Sequence, residues 1–571
     1  MKKTLSALLS AIIICSVTLP AFSANAGGAC LNIALASDLH YNQPREEING
    51  DIDDEIYFYA NRRAAMEDES GFIIDEFLRQ CRENESLDYV LISGDLADNG
   101  KSTPEEHYDV AAKLKAFEDE TGIPVYVCNG NHDCGNNCAT TNDDFREIYA
   151  DFGYAEAKET LEGTLSYTVD LDEKYTLIVA DSCDPDKSTE DGFTADRVNW
   201  VVSQAKKIKS QGRYPVLMMH HNLLDHMPVQ RIISHDFIVR NHTLTAEQFA
   251  NAGIKVVFTG HEHGNDVASY TSALGNTITD FSTTSLTMYP LEYRCITFTD
   301  DTITYEKKSI DSIDTDALTA VCAGFTDEQI ALMNEDYASY SKGFFKAGIK
   351  YRLTLSLSPE KLGIDENAFY APVVYTAIDG LLRIMDMPLY GEGSVEELAA
   401  EYGIGLPETS FADGWDLATE ILSYHYAGNE PYALDGPEVT LLLRVADLIL
   451  LDALSDVNDD VFLKAANSIA SSLGTGGICK EFTKTMAKTF GPVTAGEYLI
   501  VAIASPLLYG FAYDSDEIND TDGSIDGYAV NNNAAALKDN VSGFFSKILF
   551  YISLFSRYIL KIFTKPFVGL N

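Results

Sequence analysis

Histidine and acidic residues in the first half of the chain form short motifs typical of metal binding. Ten of the eleven histidines lie between His40 and His263. Imidazole, carboxylate and carboxamide groups together suit divalent cations such as Mn, Fe or Zn. The motifs are, in chain order, Asp38-Leu39-His40, Gly94-Asp95-Leu96-Ala97-Asp98-Asn99-Gly100, Gly130-Asn131-His132-Asp133, His220-His221 and Gly260-His261-Glu262-His263. One such motif alone is more often a capped turn, but five in this order favour a metal centre.

Each motif directly follows a short apolar run of strand-forming residues. The runs are residues 31–36, 89–92, 124–127, 215–219 and 255–258. From residue 31 to about residue 309 such runs alternate with amphipathic segments, which predicts an α/β layered domain. Because layered α/β sheets generally bind ligands at the C-terminal ends of their strands, we expect the motifs to meet at one edge.

Taken together, the five motifs resemble those of the calcineurin-like metallophosphoesterase superfamily, over roughly residues 31–309. The resemblance implies an α/β fold, a four-layer β-sandwich flanked by helices, that holds two metal ions. The seven implied ligands are Asp38, His40 and His263 for one ion, Asn131, His220 and His261 for the other, and Asp95 for both. His220 and His221 compete for one position. The earlier histidine of such a pair is the usual ligand, which leaves His221 to contact substrate or to support the ligands.

The resemblance also implies a reaction. A bridging carboxylate can hold two cations about 3.5–4 Å apart, and a water shared between them becomes hydroxide near neutral pH. In-line attack by that hydroxide would hydrolyse phosphodiesters or phosphomonoesters. His132 would stand beside the substrate, oriented by Asp133, and protonate the departing oxygen. The ligand set leaves open whether the metal is Mn, Fe or Zn.

Two departures from subfamily patterns narrow the class. Purple acid phosphatases carry a metal-binding tyrosine three residues after the bridging aspartate, where this chain has Asp98. Serine/threonine protein phosphatases and 5′-nucleotidases carry glutamate after Gly-Asn-His, where this chain has Asp133. With these subfamilies set aside, the motif pattern of the chain is similar to that of the cyclic-nucleotide and glycerophosphodiester phosphodiesterase branch. A specific phosphomonoesterase, or a surface-binding protein with a structural metal site, stays open as an alternative.

The pattern becomes helical beyond residue 310. Capping boxes at Thr326 and Ser394 and an apolar stretch over residues 441–454 predict a mainly helical domain over 311–540. Within it, the acidic stretch 514–533 is expected to be a loop or linker rather than a calcium site. Residues 541–571 are expected to form an amphipathic basic helix. It would either contact an anionic membrane peripherally or pack on the second domain.

The N-terminus has the features of an export signal. Lys2 and Lys3 precede an apolar stretch, which ends at a small-x-small site at Ala24-Asn25-Ala26. We therefore expect a signal peptide over residues 1–26, a catalytic domain over 27–310, and a secreted or cell-surface protein. Membrane association would come from the basic tail.

Charge and cysteine content limit the partners. The formal net charge is −46 for the full chain. A surface this acidic repels phosphate backbones, so we expect no nucleic-acid partner and take a phosphate ester as the ligand. Cys134 and Cys138 are close enough in sequence to form a disulfide, and two free thiols or a zinc clip are the alternatives. Nothing in the sequence indicates the oligomeric state.

Overall fold

The computed structural model describes residues 30–44, 64–187, 191–227, 230, 236–357, 367, 371–433, 436–453, 510–512 and 518–529. The expected signal peptide at 1–26 and the expected basic helix at 541–571 lie outside these residues. Within them, no helix combines the length and the apolar character needed to cross a bilayer.

The described strands form two sheets. The strands are β1 (Leu31–Ala36), β2 (Tyr89–Ile92), β3 (Val125–Val127), β4 (Glu159–Thr160), β5 (Tyr167–Asp170), β6 (Tyr175–Val179), β7 (Tyr214–Met218), β8 (Val256–Thr259), β9 (Asp266–Thr271), β10 (Thr277–Ser282), β11 (Glu292–Phe298), β12 (Thr302–Ser309) and β13 (Asp522–Asp526). The first sheet has the order β13-β12-β11-β1-β2-β3, and the second has the order β4-β5-β6-β7-β8-β10-β9. The strands that precede the five motifs are parallel neighbours within these two sheets.

The two sheets pack face to face because their strands alternate apolar side chains between two faces. In β1, Ile33 and Leu35 belong to the core between the sheets, where they join Leu177 and Phe258 of the second sheet. Ala34 and Ala36 point the other way, into the core beneath the helices.

Helices cover both outer faces. The described helices are α1 (Ser70–Glu83), α2 (Pro104–Thr121), α3 (Asn142–Ile148), α4 (Ala195–Ser210), α5 (His242–Ala252), α6 (Thr315–Val321), α7 (Asp327–Glu335), α8 (Tyr337–Ser356), α9 (Ala371–Met385), α10 (Val395–Glu401), α11 (Gly414–Tyr426) and α12 (Pro437–Ala453). Phe77 of α1 and Leu114 of α2 pack on the first sheet, and Val201 of α4 and Phe249 of α5 pack on the second. The expected four-layer α/β sandwich is therefore confirmed.

A mainly helical region follows β12, as expected from the capping boxes. Thr326 and Gln329 form a reciprocal capping box at the start of α7, and Ser394 caps α10. Helices α9 to α12 share an apolar core of their own that includes Trp415. This region also packs on the sandwich, where Phe345 of α8 contacts Ala64 and Met288.

The acidic stretch expected to be a loop contains a strand instead. In β13, Asp522–Asp526 pairs antiparallel with β12 along the edge of the first sheet. Buried Asp520, just before it, accepts a hydrogen bond from the amide of Val267 at 2.8 Å, and its carbonyl accepts one from Arg294 at 2.6 Å. The sequence shows neither contact, because Val267 and Arg294 both lie more than 200 residues away.

Cys134 and Cys138 are free thiols in the structure. The Sγ of Cys134 is instead 3.4 Å from Asn142 Oδ1, and that of Cys138 is 3.5 Å from the carbonyl of Asn136. The expected disulfide is therefore absent, and the thiol alternative applies.

Candidate metal centre

All seven expected ligands meet at the C-terminal ends of strands from both sheets. Five of them have backbone angles in the left-handed region, which is costly for residues other than glycine and is typical of functional sites. They are Asp38 (φ 50°), His40 (φ 38°), Asp95 (φ 47°), His261 (φ 67°) and His263 (φ 64°). The chain thus turns sharply at the end of β1, β2 and β8, and each turn directs a polar side chain into the same space.

One group of side chains consists of Asp38, His40 and His263, whose ligand atoms lie within reach of one ion. The Nε2 atoms of His40 and His263 are 3.1 Å apart, and Asp38 Oδ1 is 3.2 Å from His263 Nε2. The other carboxylate oxygen, Oδ2, accepts the amide hydrogen of His261 at 3.0 Å. This bond fixes the Asp38 carboxylate, so that Oδ1 faces the histidines.

A second group consists of Asp95, His220 and His261. Asp95 Oδ2 is 3.3 Å from His220 Nε2, which in turn is 3.1 Å from His261 Nδ1 and 3.0 Å from Asn131 Oδ1. The four side chains are buried. The expected ligands of the second ion are therefore brought together.

Asp95 lies between the two groups. Its Oδ1 accepts the amide hydrogen of His132 at 2.7 Å, whereas Oδ2 is 3.8 Å from His40 Nε2 on one side and 3.3 Å from His220 Nε2 on the other. Among the described residues, Asp95 Oδ2 and Asp38 Oδ1 are buried oxygens without a hydrogen-bond partner. Buried carboxylate oxygens normally have partners, so these two are available to a cation.

The histidine tautomers agree with cation binding. His40 Nδ1 is 2.9 Å from Asp98 Oδ1, and His220 Nδ1 is 2.9 Å from the carbonyl of Ser93. Both partners can only accept, so each Nδ1 carries the proton and each Nε2 of a neutral ring turns a lone pair toward the carboxylates. Lone pairs that face one another in this way need a positive charge between them, and the residues present therefore fit metal ions.

The pKa values of the site also indicate that its carboxylates require positive charge beside them. Burial alone raises the pKa of Asp95, but His220, His132 and His40 outweigh it and hold the pKa well below its ordinary value. Burial lowers the pKa of His220, but the carboxylates of Asp95 and Asp38 outweigh it and raise the pKa to about 9. A proton on His220 thus takes the place that a cation would take, because the carboxylates require positive charge beside them.

Two glycines permit the close approach of these loops. A Cβ on Gly130 would lie 2.1 Å from Asp95 Oδ1, and one on Gly94 would lie 2.5 Å from His220 Nδ1. Gly94 also has a φ of 106°. Gly94 and Gly130 are therefore needed for the packing of the ligands.

His132 stands beside the expected ligands, but Asp133 does not orient it. The Nδ1–H of His132 donates to the carbonyl of Asp98 at 2.8 Å. Asp133 accepts backbone hydrogen bonds from Leu96, Ala97 and Gly130 at 2.7 to 3.1 Å. Burial, followed by repulsion from Asp95, raises the pKa of Asp133 to about 8. Asp133 thus ties two motif loops together, and Asp98 carries out the expected orientation of His132.

His132 also comes within ligand reach of His40 and Asp95. Its ring lies edge-on to that of His40, with centroids 4.9 Å apart. The side chain is 23% exposed, similar to His263 at 24%, whereas His40 and Asp95 beside it are buried. It is therefore accessible to a substrate.

His221 lies behind the site. It is fully buried, its Nδ1 is 2.9 Å from Ser182 Oγ, and its ring is 4.5 Å from the ring of His261. It does not line the cavity that opens from the metal-binding side chains. The structure therefore favours support of His261 over the tentative role in substrate contact.

A cavity of about 490 Å³ opens from the metal-binding side chains toward the helical region. His40, Asp95, Asn131, His132, His261 and His263 line one end of it. Side chains of α8, α11 and α12 line the other end. The sequence predicted neither this second wall nor Asp98 as the partner of His40 and His132. Asp98 belongs to the motif over residues 94–100, so its position in the sequence indicated a place near the site. The helical residues belong to no motif.

Known proteins match the first half of the chain. Residues 31–265 match the family model described as calcineurin-like phosphoesterase. A 191-residue stretch is 27% identical to the mouse protein named serine/threonine-protein phosphatase CPPED1, and the match covers 32% of this chain and 55% of that protein. The chain thus spans about half the length of the curated relative it matches.

Two solved structures resemble the chain remotely. A dimetal phosphatase from Danio rerio has 10% sequence identity and a TM-score of 0.36, and the match covers 49% of this chain and 96% of that chain. The NAD nucleotidase NadN of Haemophilus influenzae has 13% identity and a TM-score of 0.28, with coverage of 62% of this chain and 68% of that chain.

Proposed function

We propose that this protein is a metal-dependent phosphoric ester hydrolase with two metal ions, on the premise that residues 31–265 belong to the calcineurin-like phosphoesterase family. The observation that carries the proposal is the position of Asp95 Oδ2. This buried oxygen without a hydrogen-bond partner lies 3.8 Å from His40 Nε2 and 3.3 Å from His220 Nε2, which belong to different groups. One carboxylate is thus available to two ions at once.

Bound metal ions would lower the pKa of a water molecule toward 7 and provide positive charge for the phosphate oxygens. The protein's own residues prepare the site for this. The amide of His132 holds one oxygen of Asp95, and Asp98 and the carbonyl of Ser93 hold the Nδ1 atoms of His40 and His220. These bonds fix the ligand atoms before any substrate arrives, so little reorganisation is needed during the reaction.

His132 is suited to act on the leaving group. Its Nδ1–H is held by the carbonyl of Asp98 at 2.8 Å, and Nε2 is the ring atom that would exchange a proton with the departing oxygen. Because the side chain is partly exposed and lines the cavity, a substrate at the metals can reach it. Proton donation at this point neutralises the charge that develops as the ester bond breaks.

Turnover of p-nitrophenyl substrates separates this proposal from its rivals. The metal-stripped protein is reloaded with Mn, Zn or Fe and given bis-p-nitrophenyl phosphate and p-nitrophenyl phosphate. Hydrolysis of the diester with two metals per chain supports a phosphodiesterase. Hydrolysis of the monoester alone supports a specific phosphatase. Two tightly bound metals without turnover of either substrate would favour a binding protein and overturn the proposal.

We also propose export of the protein, because Lys2, Lys3, the apolar stretch that follows and the site at Ala24-Asn25-Ala26 have the order of a signal peptide. N-terminal sequencing of the protein purified from its native source tests this. A chain beginning at Gly27 supports export, and a chain that retains residues 1–26 contradicts cleavage at this site.

A further inference from the structure

The cavity beside the metal centre has two different ends. The volume of about 490 Å³ is in the range of small-molecule binding sites. The motif residues at one end offer charge and hydrogen bonds. The other end is built from the helical region, which provides none of the expected metal ligands. The character of this second end therefore bears on what is attached to the phosphate.

Aliphatic side chains dominate the helical end. On α11, Ala418, Ile421 and Leu422 line the cavity, and their spacing of three and four residues places them on one face of the helix. Leu353 of α8 and Leu442 of α12 line it as well. Three separate helices thus turn apolar side chains toward the same space.

The apolar surface reaches the metal ligands themselves. The ring of Phe237 is stacked on that of His261, with centroids 4.3 Å apart and planes 24° apart. Met288 and Ala65 of the sandwich also line the cavity. A group attached to a phosphate at the metals would therefore meet apolar surface from its first atoms onward.

Polar groups are sparse on the helical side. Among the described lining residues from α8, α11 and α12, the polar side chains are Arg352, Ser356 and Tyr426. Arg352 and Ser356, like Leu353, are exposed residues of α8. A sugar or a nucleobase in this space would lose water without gaining enough hydrogen bonds, which is unfavourable. A hydrocarbon chain loses nothing by leaving water there.

We propose that the substrate is a phosphate ester that carries an alkyl or acyl chain, with the phosphate at the metal centre and the chain between α8, α11 and α12. The inference rests on the proposed hydrolysis and specifies its substrate class. In that reaction one P–O ester bond breaks. Water provides the hydroxyl group that joins phosphorus, and its proton passes to the departing alcohol.

A series of p-nitrophenyl alkyl phosphate diesters, from methyl to octyl, tests the proposal. All members share one leaving group, so differences in kcat/KM report on the retained alkyl chain. We expect about a fourfold rise for each added methylene group until the chain fills the cavity, which corresponds to about 0.8 kcal/mol per group. Concentrations are kept below those at which the longer esters form micelles.

Two leucines of α8 provide a matched pair of variants. Leu353 lines the cavity and is 38% exposed, and Leu355 is 42% exposed and does not line it. Leu353→Gln should lower the ratio of octyl to methyl kcat/KM by about tenfold, because one apolar wall is lost. Leu355→Gln should leave that ratio unchanged. As a second variant, Ala418→Leu reduces the cavity volume and should shorten the chain length at which kcat/KM stops rising.

Binding of methyl-, butyl- and octylphosphonate to the metal-loaded protein, measured by calorimetry, separates the two proposals. Metal-dependent turnover that does not vary with chain length would overturn the inference and leave the proposed function intact. Affinity that rises with chain length, without turnover of any ester, would overturn the function and support the apolar site. Equal changes in Leu353→Gln and Leu355→Gln would also overturn the inference.

Discussion

The sandwich and the helical region contribute opposite kinds of surface to one cavity. On the sandwich side, each functional side chain has directional partners, as when Asp95 Oδ1 accepts from the amide of His132. On the helical side, aliphatic groups such as Ile421 and Leu422 pack without directional bonds. Under the two proposals, the sandwich would carry out the reaction and the helices would select among substrates. Variants of the two regions should therefore have separable effects.

The largest effect is expected from Asp95→Ala. Both ions would lose their shared ligand, so activity should fall by more than about 10³-fold on substrates of every chain length, and metal content should fall at both positions. Elemental analysis and kcat/KM measure the two outcomes. Asp119→Ala, which removes an exposed carboxylate of α2, is the control. Two metals per chain with undiminished activity would show that Asp95 is not the bridge.

His132→Gln should separate metal binding from proton donation. General acid catalysis typically raises the rate by about 10²–10⁴-fold. An alkoxide leaving group needs the proton far more than p-nitrophenolate does. We expect both metals to be retained, alkyl ester hydrolysis to fall by about that factor, and p-nitrophenyl esters to be affected much less. Equal losses on both substrate types would instead indicate that His132 positions the phosphate. Loss of one metal would make it a ligand.

Gly130→Ala should weaken metal binding, with a smaller effect than the loss of activity expected for Asp95→Ala. The added Cβ would lie 2.1 Å from Asp95 Oδ1, and the displaced carboxylate should bind metal about 10–100-fold more weakly, as when the supports of a ligand are lost. Gly264→Ala is the control, since it adds a methyl group next to His263 where no atom lies within 4 Å. Titration of the stripped proteins with Mn measures the difference. Equal affinities would contradict the close approach of the two loops.

The smallest effect concerns stability, through His107. Burial lowers the pKa of this histidine to about 4, from an ordinary value of 6.5. Between these two pH values the unfolded chain binds a proton that the folded chain does not. His107 therefore lowers the free energy of unfolding as the pH falls through this window, by about 1.4 kcal/mol per pH unit. Urea unfolding at pH 7, 6 and 5 should show a steeper loss for the native chain than for His107→Asn. Parallel curves would contradict the shifted pKa.

The sequence predicted the sandwich side of this comparison well because its signals are local. Apolar runs that end at Asp38, Asp95 and Asn131 identify strands and side chains within a few residues of each other. The family resemblance then related motifs that lie up to 225 residues apart, from Asp38 to His263, and the structure brings them together.

The remaining features depend on contacts that no local pattern encodes. Asp133 follows His132 in sequence, yet it does not bond to the His132 ring. The ring donates to the carbonyl of Asp98, and the Asp133 carboxylate accepts from backbone amides. The apolar residues of α11 that line the cavity have the same helical spacing as ordinary core residues, so their pattern cannot distinguish a binding wall from a core. Strand β13 lacks an apolar run, and its pairing with β12 defines it.

That pairing has a consequence for how the protein can be shortened. The chain leaves the first sheet at the end of β12, Ser309, and returns to it at the start of β13, Asp522. The helices between are thus inserted into the sandwich rather than appended to it, and they are tethered at two points. A truncation before residue 522 would remove the outer strand and expose the unpaired backbone groups of β12, which promotes aggregation. A working sandwich without the helices has to be made by excising them and rejoining the chain across the gap.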